Sequence, residues 1–114
     1  MTISSTARVA TDRPARYGKQ LASHFSKKLA TEWDAAEGRG HLTFTGDLPG
    51  EVGMIAGDKV LLLHLETAPE HLADLEAVVG RHLVRFGARD ELSVTWRREG
   101  GEDGVVVTTA DLED

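Results

Sequence analysis

Hydrophobic side chains recur along this chain with two spacings, one typical of helices and the other typical of strands. Two segments carry a stripe at intervals of three or four residues, which predicts two amphipathic helices. The first stripe consists of Tyr17, Leu21, His24, Phe25 and Leu29, and the second consists of Leu72, Leu75, Val79, His82, Leu83 and Phe86. Because each helix has a single apolar stripe, each is expected to cover another layer of structure.

The predicted helix ends carry residues that are typical of caps. Asp12 is predicted to cap the first helix, with Pro14 in the first turn, where a missing N–H leaves no bond unmade. Thr67 and Glu70 have the spacing of a capping box and predict the start of the second helix. Gly87 suits the position that follows the end of that helix.

Alternation of apolar and polar residues predicts the strands. The predicted strands cover residues 6–10, 39–45, 51–56, 59–66 and 92–96. Trp33 either starts the central meander or belongs to a short strand before it, and both alternatives stay open. The predicted order is therefore β-α-β-β-β-α-β. Two helices with one apolar stripe each are most simply packed on one face of one antiparallel sheet, which is an α+β fold.

The length and composition indicate one domain. The chain has 114 residues and no cysteine, and this length can bury a real core without disulfides. We expect a single domain over residues 1–98, followed over 99–114 by an acidic tail or an added edge strand that includes residues 105–109. The first ten residues lack the apolar segment of a signal peptide, and no apolar run has transmembrane length, so we expect a cytoplasmic protein without a membrane partner.

The charge distribution argues against a nucleic-acid partner. The net charge is −6, and residues 99–114 hold six acidic residues and no basic one, so the rest of the chain is neutral. A nucleic-acid binder needs a basic excess to neutralise phosphates. Residues 1–30 do carry six basic residues against one acidic residue, which we interpret as the solvated face of a helix.

Taken together, these residues resemble a bacterial domain-of-unknown-function family, number 2218. The resemblance is carried by Ala7 to Pro14, Arg16-Tyr17, Leu21, His24-Phe25, Lys28, Trp33, the strand with Leu61, Leu63 and Leu65, His82-Leu83, Arg85-Phe86, and the strand with Leu92, Val94 and Trp96. It implies a two-helix α+β fold similar to the C-terminal domain of phosphohexomutases and to TATA-binding-protein repeats. Such domains can accompany siderophore-interacting flavin reductases, which implies a link to iron uptake and a flavin reductase domain as a partner.

His24 and His82 form the first candidate site. Both are predicted on the core-facing stripes of two neighbouring helices, so their imidazoles should meet. Such a pair could bind iron, zinc or another small ligand, or it could transfer protons. The alternative, which we favour, is that each imidazole is a packing residue hydrogen-bonded to a carbonyl or carboxylate, because no further ligand occurs at HxxxH or HExxH spacing.

A second candidate lies at the start of the first helix. Tyr17, Arg16 and Arg13 could bind an anionic ligand there, helped by the helix dipole. The alternative, again favoured, is that Tyr17 anchors the core and exposes a polar tip.

A third candidate is the face of the sheet that the helices leave open. Val60, Leu62 and His64 are predicted on this face, and exposed aliphatic residues there suggest a partner surface, either for a second copy of the chain or for a reductase domain. His41 shares that face in the predicted register, and Glu51 or Glu66 would then complete an exposed metal-binding cluster. A shift of one residue in register would scatter this group.

The sequence therefore predicts a non-enzymatic accessory or binding module with a loose connection to iron and siderophore use. The contact with ligand or partner would lie near His24 and His82 or across the open sheet face. Two alternatives remain: a small enzyme or metal-binding protein that uses these two histidines, and a structural homodimer. No residue pattern requires a cofactor, since the chain contains neither a G-x-G-x-x-G nor a G-x-S-x-G motif.

Overall fold

A computed structural model describes residues 1–112 of the chain as two helices against one seven-stranded sheet. The elements are β1 (Ile3–Ala10), α1 (Pro14–Phe25), β2 (Ala30–Asp34), β3 (Arg39–Phe44), β4 (Gly50–Gly57), β5 (Val60–Thr67), α2 (Leu72–Phe86), β6 (Val94–Arg98) and β7 (Asp103–Val107). Short 3-10 turns cover residues 69–71, 88–90 and 109–112. Within residues 1–112, no helix is long and apolar enough to cross a membrane.

The sheet is antiparallel throughout, with the strand order β2-β3-β4-β5-β1-β6-β7. Strands β2 to β5 form a meander, and β1 is an internal strand between β5 and β6. Helix α1 packs on β2 to β5, while α2 packs mainly on β7, β1 and β6. The buried residues of β1 and of β3 to β7 form one core cluster with those of both helices, so both helices lie on the same face of the sheet. The predicted α+β class, with both helices on one face, is confirmed.

The structure has two strands more than the predicted order. Trp33 lies in β2, a short edge strand that pairs with β3, so the second of its two alternatives is the observed one. Residues 103–107 form the other edge strand, β7, which pairs with β6. Both were hard to predict because each is short, and β2 carries a single large apolar side chain.

The two predicted N-caps are wrong in detail, whereas Gly87 follows the last residue of α2, as predicted. The N-cap position of α1 is Arg13 rather than Asp12, and the Thr11 hydroxyl accepts a hydrogen bond from the Arg13 N–H at 3.0 Å. Thr67 does not cap α2, because its hydroxyl donates to the Pro49 carbonyl at 2.6 Å while the backbone still belongs to β5. Gly87 has an ordinary φ of −101°, and it is required instead by packing, since a Cβ there would lie 2.2 Å from Leu92 Cδ1.

A buried carboxylate that the sequence did not reveal joins three strands to α2. Glu76 is fully buried, and its side chain accepts hydrogen bonds from Ser5 Oγ at 2.6 Å, from Arg98 at 2.8 and 3.4 Å, and from the Val105 N–H at 3.2 Å. Its backbone carbonyl accepts the Trp96 indole N–H at 2.9 Å. The hydrogen bond to Glu76 raises the pKa of Arg98 above its ordinary value. This network fixes α2 on β1, β6 and β7, and thereby leaves the opposite face of the sheet free.

Candidate functional site

The open face of the sheet contains a cavity of about 750 Å³. It crosses five neighbouring strands, from β2 through β3, β4 and β5 to β1. The lining residues are Thr6, Arg8, Glu32, Trp33, Asp34, Arg39, Gly40, His41, Gly53, Met54, Ile55, Leu62, Leu63 and His64. This volume lies in the range of small-molecule sites in proteins.

The floor of the cavity is a glycine between two histidines. In the strand register, Gly53 of β4 lies directly between His41 of β3 and His64 of β5. A Cβ added at Gly53 would meet no atom within 4 Å. The absence of a side chain at this position therefore leaves an open slot over the backbone, with one imidazole on each side.

Each of these imidazoles has a carboxylate neighbour. His41 Nε2 lies 3.2 Å from Glu51 Oε1, and His64 Nε2 lies 3.8 Å from Glu66 Oε1. His64 Nδ1 also lies 3.2 Å from the Thr6 hydroxyl. The predicted grouping of these histidines with Glu51 and Glu66 on the open face is confirmed. The predicted metal cluster is not found, because residues 1–112 contain no group of three or more His, Asp or Glu that could hold a metal ion.

The next row of the sheet supplies apolar and basic groups. This row consists, in order across β3, β4, β5 and β1, of Arg39, Ile55, Leu62 and Arg8. Ile55 is 41% exposed although it is a large aliphatic residue. Neither arginine forms a salt bridge with any of residues 1–112. The cavity thus has an apolar centre bordered by two guanidinium groups that form no salt bridge within the described part of the chain.

The residues predicted as a partner surface all lie on this face. Val60 and Leu62 are half-buried and His64 is exposed, and the register puts all three opposite the helices, as the alternation predicts. Their contact with a partner stays a prediction. The alternation did not single out Gly53 or Arg8, whose importance depends on which strands are neighbours and therefore on the topology.

The predicted pair of His24 and His82 also comes together, but at the rim of the helix layer. The two ring centroids lie 4.9 Å apart at an angle of 44°. The expectation that His24 faces the core is wrong: the residue is exposed, and its ring lies edge-on to Phe25 and Phe86 at 5.3 and 5.2 Å. His82 is half-buried, and its Nδ1 donates to the Val78 carbonyl at 2.7 Å, which leaves Nε2 without the proton in the neutral ring.

The surroundings of His24 disfavour its charged form. Partial burial of the ring lowers its pKa below the ordinary value, and the positive potential of His82, Lys27, Lys28 and Arg85 lowers it further. A shallow hollow of about 570 Å³ beside His24 also contains Arg16 and Phe86. This corner of the molecule is therefore basic, which opposes the binding of a cation.

The candidate anion site at Tyr17 is occupied by the chain itself. Tyr17 is buried, and its hydroxyl donates to the carboxylate of Asp90 in the turn after α2. Burial raises the pKa of Tyr17, and the hydrogen bond and negative charge of Asp90 raise it further, against the opposing effect of Arg13 and Arg16. Arg16 points instead to the hollow beside His24.

Comparison with known proteins relates the chain to one bacterial family. A family model described as "Uncharacterized protein conserved in bacteria (DUF2218)" matches residues 6–97. Among solved structures, the NMR structure of PA4090 from Pseudomonas aeruginosa is similar, with 30% sequence identity and a TM-score of 0.64 over 83% of this chain and 95% of that chain. No curated protein matches this chain.

Proposed function

We propose that this chain, which belongs to the DUF2218 family of bacterial proteins, is a non-enzymatic module that binds a small organic molecule on its open sheet face. The observation that carries this proposal is the cavity of about 750 Å³ over Gly53. Ligand sites are typically concave and mostly apolar, with a few polar groups that orient the ligand. Ile55, Leu62 and the flanking imidazoles and guanidinium groups meet this description.

The rigidity of the floor supports binding. The central strands β3, β4, β5 and β1 are each paired on both sides, so the backbone beneath the ligand is held by the sheet ladder. A floor that is already formed reduces the entropy lost when a ligand binds.

The chemistry of the cavity supports binding over catalysis. Thr6 Oγ1 contacts His64 Nδ1, but the Glu66 carboxylate lies 3.8 Å from the other ring nitrogen, which is too long for a hydrogen bond. The backbone amides of internal strands are used in the ladder, so they are poor candidates for the free donors that an oxyanion needs. An activated hydroxyl in this cavity would therefore lack the usual supporting groups.

The test is an NMR screen of 15N-labelled protein with a set of small neutral and charged fragments. We expect fragments to shift the amide resonances of His41, Gly53 and His64, and we expect Gly53→Val to abolish these shifts. A Cβ added at Gly53 would meet no atom within 4 Å, so we expect this variant to fold. Ala10→Val adds the same side chain to the same face outside the cavity and serves as the control.

Two results would contradict a ligand in this cavity. One is the absence of any fragment that shifts these amides. The other is a wild-type homodimer that Leu62→Asp dissociates in analytical ultracentrifugation, because a second copy would then cover the face. The exposed Ile55 and half-buried Leu62 favour this homodimer as the alternative function.

A second candidate function is an acid–base or metal-binding role for His24 and His82, with iron or zinc as the metal. It is favoured by the 4.9 Å separation of the rings and by the Val78 carbonyl that orients His82, as second-shell carbonyls orient metal-binding histidines. The test is an NMR titration of the five imidazoles with zinc or ferric ion. Joint shifts or broadening of these two histidines, lost in His24→Ala, would support it, and unchanged resonances would reject it.

The connection with iron and siderophore use, the flavin reductase partner and the cytoplasmic location are supported by the sequence resemblance and composition alone. A strain without the gene tests the iron connection. We expect it to grow more slowly when a ferric siderophore is the iron source and normally on soluble ferrous iron. Equal growth on both sources would reject the connection.

A further inference from the structure

We infer that the ligand of the open-face cavity is a planar aromatic carboxylate, whose ring lies over Gly53 and whose carboxylate binds Arg8. This inference rests on the proposed function and specifies its ligand class. A row here means the residues that lie opposite one another on neighbouring strands. The inference depends on the shape of the row with His41, Gly53 and His64, and on the charges of the two rows beside it.

The glycine slot has the shape of a flat ring. Adjacent strands lie about 4.8 Å apart, so the backbones of β3 and β5 are separated by roughly 10 Å with only Gly53 between them. His41 and His64 occupy the two sides of this gap in the register, and a Cβ added at Gly53 would meet no atom within 4 Å. A ring is thin enough to stand between them and can form offset or edge contacts with both.

The row beside the slot extends the apolar contact. Ile55 and Leu62 are cross-strand partners, and they lie two residues along their strands from Gly53 and His64. Ile55 is 41% exposed, so a ring that covers it would bury aliphatic surface that is now in water. A bicyclic ring reaches from the slot onto this pair, whereas a single small polar group would leave the pair exposed.

The charges of the neighbouring rows give the ligand a direction. On one side of the histidine row, Glu51 and Glu66 are directly opposite each other on β4 and β5. On the other side, Arg39 and Arg8 flank Ile55 and Leu62. A carboxylate is repelled by the first row and attracted by the second, so it must point towards the arginines.

Of the two arginines, Arg8 is the better anion site. Arg39 is directly opposite Asp34 in the register of β2 and β3, and Glu32 lies on the same edge strand. Arg8 is at the far end of the row, and no acidic residue lies opposite it in β5. The Cα atoms of Gly53 and Arg8 are roughly 12 Å apart by strand spacing and rise, a gap that an arginine side chain and a bicyclic carboxylate together can span.

The test compares 2-naphthoate with its neutral counterpart 2-naphthamide by isothermal titration calorimetry. We expect the wild type to bind the carboxylate at least about tenfold more tightly than the amide, because one hydrogen bond to a charged group contributes an affinity ratio of about that size. Arg8→Gln should remove this preference and leave the affinity for 2-naphthamide unchanged. Gly53→Val should remove binding of both compounds.

Two control variants lie on the same face outside the cavity. Arg97→Gln removes an arginine that pairs with Asp103 at 3.7 Å, and Ala10→Val adds the valine side chain away from the slot. Both should bind 2-naphthoate as the wild type does. A thermal melt of each variant confirms that loss of binding does not reflect loss of fold.

The outcomes separate this inference from the proposed function. Equal affinity for the two compounds, loss of preference in Arg39→Gln instead of Arg8→Gln, or binding that survives Gly53→Val each overturns the inference. If neither naphthalene compound binds while other fragments shift the amides of the cavity, the aromatic carboxylate is rejected and the proposed function stands. If neither these compounds nor any fragment binds, both are rejected.

Discussion

Tyr17 and His24 show how two side chains of one helix acquire opposite shifts in pKa. The hydroxyl of Tyr17 is buried beside a carboxylate, which disfavours the tyrosinate anion. The ring of His24 is packed beside basic groups, which disfavours the imidazolium cation. In both cases the neutral form is favoured, so each residue links the stability of the fold to pH, but at opposite ends of the scale.

Tyr17 is the chain's single tyrosine, so its titration can be read directly from the absorbance of tyrosinate at about 295 nm. We expect its pKa to lie above the ordinary value of 10.0 and to fall in Asp90→Asn, since that variant removes the negative charge and replaces the carboxylate with a weaker, neutral amide acceptor. Burial remains, so the pKa should stay raised in part. Because the folded-state pKa is raised, the stability from this group is complete below pH 10 and is lost as the pH rises through the folded pKa.

The same titration in Arg97→Gln serves as a control, because this arginine is paired with Thr6 on the open face of the sheet, away from the helices. A tyrosine that titrates at its ordinary pKa in the wild type would contradict the contact with Asp90.

His24 is expected to give the opposite dependence. Its folded-state pKa is lowered, so its contribution to stability is present above the ordinary pKa of 6.5 and is lost as the pH falls through the folded value. Denaturant unfolding at about pH 7.5 and about pH 5 should therefore show a larger loss of stability in the wild type than in His24→Gln. His71→Gln is the matched control, and an equal loss in the wild type and His24→Gln would refute the linkage.

Within the strands, two glycines have opposite structural roles. A Cβ at Gly40 would lie 2.5 Å from the Glu32 carbonyl oxygen and 2.6 Å from the Trp33 ring, whereas a Cβ at Gly53 would meet nothing. Gly40 lets β2 and its tryptophan approach β3. Gly53 keeps the floor of the cavity open at the cost of a weaker strand.

Alanine substitutions should separate these roles. Gly40→Ala is expected to lower the free energy of unfolding by about 1–3 kcal/mol because the backbone cannot make room. Gly53→Ala should leave it unchanged or raise it by up to about 1 kcal/mol, since alanine loses less conformational freedom on folding. Urea unfolding of the two variants measures both, and destabilisation by Gly53→Ala would mean that the slot is not open space.

The ion pair between Glu76 and Arg98 is one of the contacts that hold α2 on the sheet. Arg98→Met should lower the free energy of unfolding by about 3–5 kcal/mol, because it leaves the buried Glu76 carboxylate without its counter-charge. Arg97→Met, one residue earlier and 68% exposed, should change it by less than about 0.5 kcal/mol. Similar losses in the two variants would show that the ion pair does not hold the helix.

The limits of sequence-based prediction follow from which contacts are local. The helical and alternating patterns around Leu21, Leu63 and Leu83 predicted the layers because periodicity depends only on nearby residues. His24 was misassigned because it lies at the border of its stripe, where the neighbouring helix decides exposure. The slot between His41 and His64 could not be found without knowing that β4 lies between β3 and β5. The burial of Glu76 was likewise not predicted, because its partners come from three strands that are distant in the sequence.

Of the two alternatives for residues 99–114, the added edge strand is the observed one, and it packs on the core. Val107 of β7 is 2% exposed, and Val105 supplies an N–H to Glu76. Removal of residues 99–114 is therefore expected to lower the free energy of unfolding by at least about 2 kcal/mol, from a lost buried valine and an unpaired acceptor. A thermal melt followed by circular dichroism measures this, and an unchanged melting temperature would mean that β7 adds nothing to the core.

The internal position of β1 has a consequence for synthesis of the protein on the ribosome. Strand β1 is synthesised before both of its neighbours, β5 and β6, whose paired residues follow it by at least fifty residues. Until then its backbone amides and the apolar side of Ala7 and Val9 have no native partner. The meander from β2 to β5 can form from local contacts before that point. Strand β1 can then pair with the free edge of β5.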